Sequence, residues 1–90
     1  MAITVHIHKT HRQFTDGLAE IEVSGSTVGE TFKELVARYP DMEKQLFDKK
    51  GKLSNIVEVY LNGESAYPNE LAKRVKDGDQ IHVTFMLAGG

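Results

Sequence analysis

Apolar and polar residues alternate in four stretches of the 90-residue chain, the pattern of strands buried on one face. The alternating apolar sets are Ile3, Val5 and Ile7; Ala19, Ile21 and Val23; Val57, Val59 and Leu61; and Ile81, Val83 and Phe85. Asn62-Gly63 is a strong hairpin signal and predicts a short additional strand after the third. Asp16-Gly17 predicts a hairpin with a loose connection between the first two strands, and Asp77-Gly78-Asp79 a turn before the last.

One main helix is predicted between the second and third long strands. Thr27 and Glu30 form a capping box, in which the Thr27 hydroxyl accepts from the Glu30 amide and the Glu30 carboxylate accepts from the Thr27 amide. The apolar stripe of this helix contains Val28, Phe32, Leu35, Val36 and Tyr39. Pro40 ends the helix, because the residue before proline avoids the helical region.

The remaining segments are short or irregular. Residues 41–47 predict a helical turn anchored by Met42, Leu46 and Phe47, and residues 48–52 predict a solvated loop. A weakly helical stretch around Leu71 and Val75 precedes the last turn. These elements give an α+β fold in which one helix covers one face of a mixed sheet of four to five strands.

The uncovered face of this sheet is expected to be polar or to meet a partner. If Val83 and Phe85 point to the core, the opposite parity turns other residues of the strands outward. The outward set predicted to bind a partner contains Ile56, Tyr60, His82, Thr84, Met86 and Leu87, with His6 and His8 on the first strand. Exposed Met and Tyr side chains suit an adaptable interface.

Composition narrows the function. A formal net charge of −2 gives no general electrostatic reason to bind nucleic acid or an anionic membrane, and neither is expected as a partner. The chain contains no cysteine, which excludes disulfides, thiolate metal sites and cysteine nucleophiles. The absence of a long apolar run and of a signal segment predicts a cytoplasmic protein.

The last strand runs directly into Ala88-Gly89-Gly90. These residues offer almost no side chain for packing, and glycine is entropically costly to order, so we expect a tail that projects into solvent. Fully extended, the three residues reach about 10 Å, enough to carry a carboxyl group into the cleft of a partner. A frayed terminus is the alternative interpretation.

With this strand order, Asn62-Gly63, Asp77-Gly78-Asp79 and the Ala88-Gly89-Gly90 end, the chain resembles the MoaD/ThiS group of ubiquitin-like sulfur carriers. The resemblance covers essentially the whole chain. It implies a β-grasp domain over residues 1–87 and a flexible tail over residues 88–90. The segment of residues 41–55 makes the chain more similar to the MoaD-like branch than to the smallest thiamin-type carriers.

The resemblance also implies the chemistry. An E1-like adenylyltransferase would use ATP to form an acyl-adenylate on Gly90, and a sulfur donor would convert it to a thiocarboxylate. That group would pass sulfur to an accepting biosynthetic enzyme of the molybdopterin, thiamin or amino-acid type. The carrier, which could also be the small subunit of a molybdopterin synthase, would not be an enzyme itself and would hold no cofactor stably.

Three alternatives remain at the level of sequence. A ubiquitin-like modifier would be joined through Gly90 to lysines of target proteins, and an interaction domain would carry the diglycine by accident. His6, His8, His11 and His82 could approach one another and bind zinc, although no cysteine and no spaced carboxylate completes a site, and the prediction is that no metal is bound. No nucleophile or acid/base pair predicts an enzyme.

Overall fold

The computed structural model describes residues 2–86 and contains one five-stranded sheet. The strands are β1 (Ala2–Ile7), β2 (Glu20–Ser24), β3 (Val57–Leu61), β4 (Glu64–Ser65) and β5 (Gln80–Phe85). They lie in the order β2-β1-β5-β3-β4, with β1 and β5 parallel and the other neighbours antiparallel. The predicted mixed sheet and its β-grasp order are confirmed.

The connection between β1 and β2 is more ordered than the sequence predicts. A 3-10 helix occupies Lys9–Thr15, and the Thr15 hydroxyl, fully buried, donates to the Arg12 and Leu18 carbonyl oxygens. The expectation of a loose connection was therefore wrong. The helical segment Lys9–Thr15 has no periodic pattern of apolar residues from which it could be predicted. The predicted turn follows this helix, with Asp16 and Gly17 both at positive φ.

The helix α1 (Val28–Arg38) begins and ends where the sequence predicts. The Thr27 hydroxyl accepts from the Glu30 amide at 3.1 Å. The second half of the predicted capping box is wrong: the Glu30 carboxylate accepts from the Ser26 amide at 2.9 Å and the Ser26 hydroxyl at 2.8 Å. The Glu30 carboxylate therefore binds Ser26 and not Thr27, because Ser26 offers both its backbone amide and its hydroxyl to one carboxylate oxygen.

Two short helical segments follow α1 and close the end of the core. A 3-10 turn spans Pro40–Met42 and α2 spans Glu43–Leu46, with Met42 and Leu46 fully buried as predicted. Residues 48–52 form a solvent-exposed loop, also as predicted. A 3-10 turn at Glu70–Ala72 occupies the stretch predicted to be weakly helical.

The core lies between α1 and one face of the sheet. Its fully buried side chains include Ile3, Val5, Phe32, Leu35 and Ile81, and the alternating sets of the strands contribute most of the rest. At the N-terminal end of β5, the turn between β3 and β4 is hydrogen-bonded to the turn that precedes β5. The Asn62 side-chain Nδ2 donates to the buried Asp79 carboxylate at 3.0 Å, and the Gln80 backbone amide donates to the Asn62 side-chain oxygen at 2.9 Å. The core therefore fixes the position of β5 in the middle of the sheet.

The edge strand β2 is protected by side chains of α1. The Arg38 guanidinium donates to the Glu22 carbonyl oxygen at 2.6 Å, and the Glu34 carboxylate accepts from the Ser24 amide. These bonds occupy backbone groups that an edge strand would otherwise offer to another chain. In the described part of the chain, residues 2–86, no helix has the length and apolar character needed to cross a bilayer.

Candidate functional site

The face of the sheet opposite α1 presents a row of register partners across four strands. His82 on β5 lies between His6 on β1 and Tyr60 on β3, and His6 in turn pairs with Glu20 on β2. Register partners point to the same face of a sheet, so these four side chains share one surface. The predicted outward parity of His6, Tyr60 and His82 is confirmed.

The rings of His6 and His82 stack on each other, with centroids 4.1 Å apart and planes within 2° of parallel. His6 Nε2 donates to Gln80 Oε1 at 2.5 Å, and His6 Nδ1 lies 3.5 Å from Glu20 Oε1. Burial lowers the pKa of His82 below the ordinary value of 6.5, His6 lowers it further, and Glu20 opposes the shift. The stack therefore favours a neutral His82, because two facing imidazolium rings would repel each other.

An exposed apolar pair lies at the end of β5. The Met86 amide donates to the Ile56 carbonyl oxygen at 2.7 Å, which extends the β3–β5 pairing by one residue beyond the strands. Met86 is 47% exposed and Ile56 is 37% exposed, which places both among the few exposed large hydrophobic residues of residues 2–86. Thr84, half-buried, lies between this pair and His82 on the same face.

The opposite side of β5 is held by an aromatic contact that the sequence did not reveal. The His11 ring stacks on Phe85, with centroids 3.5 Å apart and planes 10° from parallel. Burial lowers the pKa of His11, with a smaller lowering by His8 and an opposing hydrogen bond from Gln45. The turn Lys9–Thr15, which has no sequence period, brings His11 to this place.

The predicted partner-binding set divides into a described and an undescribed part. The structure brings together Ile56, Tyr60, His82, Thr84 and Met86 on the outward face, to which it adds Glu58 as the register partner of Thr84. Leu87, Ala88, Gly89 and Gly90 lie outside the described residues. Among residues 2–86, no group of three or more His, Asp or Glu side chains is arranged to hold a metal ion.

A protein-family model matches nearly the whole chain. The model of the ThiS family aligns with residues 5–90. The chain belongs to the ThiS family. Together with its β-grasp fold, this membership makes the chain a ubiquitin-like protein of the ThiS/MoaD sulfur-carrier type.

Solved structures agree with this membership. The ThiS-family chain is 32% identical to a chain in the crystal structure of the Amycolatopsis orientalis BexX/CysO complex, with a TM-score of 0.88 over 99% of this chain and 100% of that one. It is 31% identical to CysO from Mycobacterium tuberculosis, with a TM-score of 0.85 over 94% of this chain and 99% of that one. SAMP1 from Haloferax volcanii, 24% identical with a TM-score of 0.87 over 100% of both chains, shares the fold.

One curated relative is a much longer protein. The mitochondrial medium-chain acyl-CoA ligase ACSF2 of Danio rerio is 32% identical over 68 residues, or 76% of this ThiS-family chain. The chain spans 11% of the length of that ligase, so the match concerns a small part of it.

Proposed function

We propose that this protein carries sulfur as a thiocarboxylate on Gly90, after an activating enzyme has adenylated the Gly90 carboxylate with ATP. The observation that carries the proposal is the family match over residues 5–90, which includes Ala88-Gly89-Gly90. The crystal structure of a BexX/CysO complex shows that a similar protein assembles with a partner. The partners proposed here are an activating adenylyltransferase, a sulfur donor and a sulfur-accepting biosynthetic enzyme.

The reaction needs activation because a terminal carboxylate is ionised at neutral pH and is a poor electrophile. A carboxylate oxygen of Gly90 attacks the α-phosphorus of ATP, and pyrophosphate leaves. Sulfide, as the simplest donor, then attacks the acyl carbon, a C–S bond forms, and AMP leaves with the former carboxylate oxygen. No redox reagent is required, and ATP is a substrate of the activating enzyme and not a cofactor of the carrier.

The globular body supplies the surface that the activating enzyme recognises. The outward face around His82, Thr84 and Met86 belongs to the strand that leads to residue 87, so contacts made there lie close to the tail. In this proposal residues 1–87 are bound by the activating enzyme and residues 88–90 carry the reacting carboxylate, in the cytoplasmic setting that the sequence predicts. Glycine at positions 89 and 90 adds no side chain that would obstruct entry into the cleft of the activating enzyme.

The test uses the full chain with its activating enzyme, ATP and sulfide. We expect a sulfur-for-oxygen mass increase in the intact chain, and Gly90→Ala or deletion of Gly90 should reduce adenylation about a hundredfold or more, because the reacting atoms are misplaced. The melting temperature of these variants should equal that of the parent chain, which is the control for folding. Unchanged adenylation without Gly90 would refute the proposal.

The same experiment separates the carrier from the modifier. A ubiquitin-like modifier uses the same adenylate but ends in an isopeptide bond between Gly90 and a lysine. Conjugates of higher mass, with no thiocarboxylate, would therefore favour the modifier. Haloferax volcanii SAMP1 shares the fold of this chain.

A further inference from the structure

A cleft of about 390 Å³ opens on the outward face at the C-terminal end of β1, beside β5. We call it the histidine cleft. Its ionisable lining residues are His6, His8, Lys9, Arg12, Glu20 and His82. Thr84 also lines the cleft, and Met86, the last residue described, lies two positions further along the chain. The histidine cleft therefore adjoins the end of β5 from which the tail sequence continues.

The histidine cleft carries positive charge, whereas the rest of the outward face of the sheet is acidic. The five strands contain no lysine or arginine, and the charged residues that point outward from them are Glu20, Glu22 and Glu58. Lys9 and Arg12 come from the turn after β1 and bring positive charge to one end of an otherwise acidic face. Among the described residues that line the cleft, Glu20 is the one opposing charge, and it lies beside His6.

The cationic and histidine side chains are also positioned as donors. Arg12 Nε donates to the Ile7 carbonyl oxygen at 3.1 Å, which anchors the guanidinium by one nitrogen and leaves its two terminal amino groups to donate elsewhere. His8 Nδ1 accepts from the Thr10 amide at 3.3 Å, so the neutral His8 ring carries its proton on Nε2. The Arg12 guanidinium, the Lys9 ammonium and the His8 Nε2–H group together suit the oxygens of a phosphate group.

We propose that the histidine cleft binds a polyphosphate anion. This inference deepens the proposed function and rests on it for the source of the anion, because adenylation of Gly90 consumes ATP and releases pyrophosphate. Lys9 and Arg12 supply the positive charge that attracts such an anion. Glu20 moderates the attraction, so that the anion is held weakly and can leave.

The test titrates the isotopically labelled full chain with sodium pyrophosphate at constant ionic strength and neutral pH, and follows the histidine ring and amide NMR signals. We expect saturable shifts confined to the cleft. Lys9→Ala, at an exposed position, should weaken binding about threefold to tenfold, whereas Glu20→Gln should strengthen it by a similar factor. Lys49→Ala, in the exposed loop 48–52 away from the cleft, is the matched control and should change nothing.

A second titration with ATP distinguishes the two sources of the anion. Shifts of the cleft signals with ATP as well as pyrophosphate would identify the nucleotide as a ligand, and shifts with pyrophosphate alone would identify the released product. The proposal is overturned if neither anion gives a saturable shift, or if Lys9→Ala and Lys49→Ala weaken binding equally. Because no activating enzyme is present, this result is independent of whether Gly90 is adenylated.

Discussion

Two histidines make ring contacts on the two faces of β5, and both contacts depend on the charge of the histidine. His82 stacks on His6 on the outward face, and His11 stacks on Phe85. Burial is the leading cause of the lowered pKa of both His82 and His11. The folded protein therefore holds both rings neutral to a lower pH than the unfolded chain does, and protonation works against these contacts.

The lowered pKa values of His82 and His11 make the folded protein less stable at acidic pH. Below the ordinary histidine pKa of 6.5 the unfolded chain binds protons that the folded chain resists, so the stabilisation is complete above that pH and is lost as the pH falls toward the lowered values. We expect the free energy of unfolding, measured with urea, to fall between about pH 7.5 and pH 5.5. Replacing both His11 and His82 with glutamine should flatten this slope, and greater stability at the acidic end would contradict the assignment.

At the scale of elements, two turns that are far apart in the sequence act as one unit. Asn62, at a φ of 51°, begins the β3–β4 turn, and its side chain bonds both to the Asp79 carboxylate and to the Gln80 amide. Asp79 also accepts from the Lys76 amide at 2.8 Å. This backbone amide and the Asn62 side chain hold the pKa of Asp79 below its ordinary value, so the carboxylate stays ionised although it is only 7% exposed.

Asp79→Ala should therefore destabilise the fold by about 1–3 kcal/mol, because it leaves the Lys76 and Asn62 donors without their acceptor. Urea denaturation measures the change. Asp41→Ala, at an exposed position, is the control and should alter stability by less than about 0.5 kcal/mol. Equal effects of the two substitutions would show that the link between the turns contributes nothing.

The elements show which features can be predicted from sequence alone. Strand parity is local and repeats, so the alternation of apolar and polar residues is enough to assign Ile56, Tyr60, His82, Thr84 and Met86 to the outward face. The Asn62–Asp79 bond could not be predicted, because it requires β3 and β5 to be neighbours across 17 positions. Two further contacts could not be predicted: Glu30 accepts hydrogen bonds from Ser26, and His11 stacks on Phe85. Both depend on irregular backbone segments, which have no periodic pattern of apolar residues in the sequence.

At the scale of the whole molecule, the sheet separates two surfaces of different character. The side packed against α1 holds the core, and the outward side carries three glutamates, a histidine pair and the apolar Ile56–Met86 pair. An exposed apolar group surrounded by polar residues is typical of an interaction surface. Its position at the end of β5 makes Met86 the natural test of partner contact.

Met86→Asp should raise the KM for the carrier in ATP–pyrophosphate exchange about tenfold, because it removes an apolar anchor near the tail. The kcat should change less, since Gly90 is untouched. Tyr67→Asp, at a position that is also exposed but follows β4, serves as the control and should leave the KM unchanged. An equal KM for the Met86 variant and the parent would remove this part of the face from the proposed interface.

The position of β5 has a consequence for biosynthesis. β5 lies between β1 and β3, yet it is translated after both, so the two halves of the sheet stay apart until the ribosome has released residues 80–85. A polypeptide interrupted before that point lacks the central strand and cannot assemble a domain. Because residues 87–90 follow β5 in the chain, an interrupted polypeptide that lacks the central strand also lacks the residues on which the proposed activation would act.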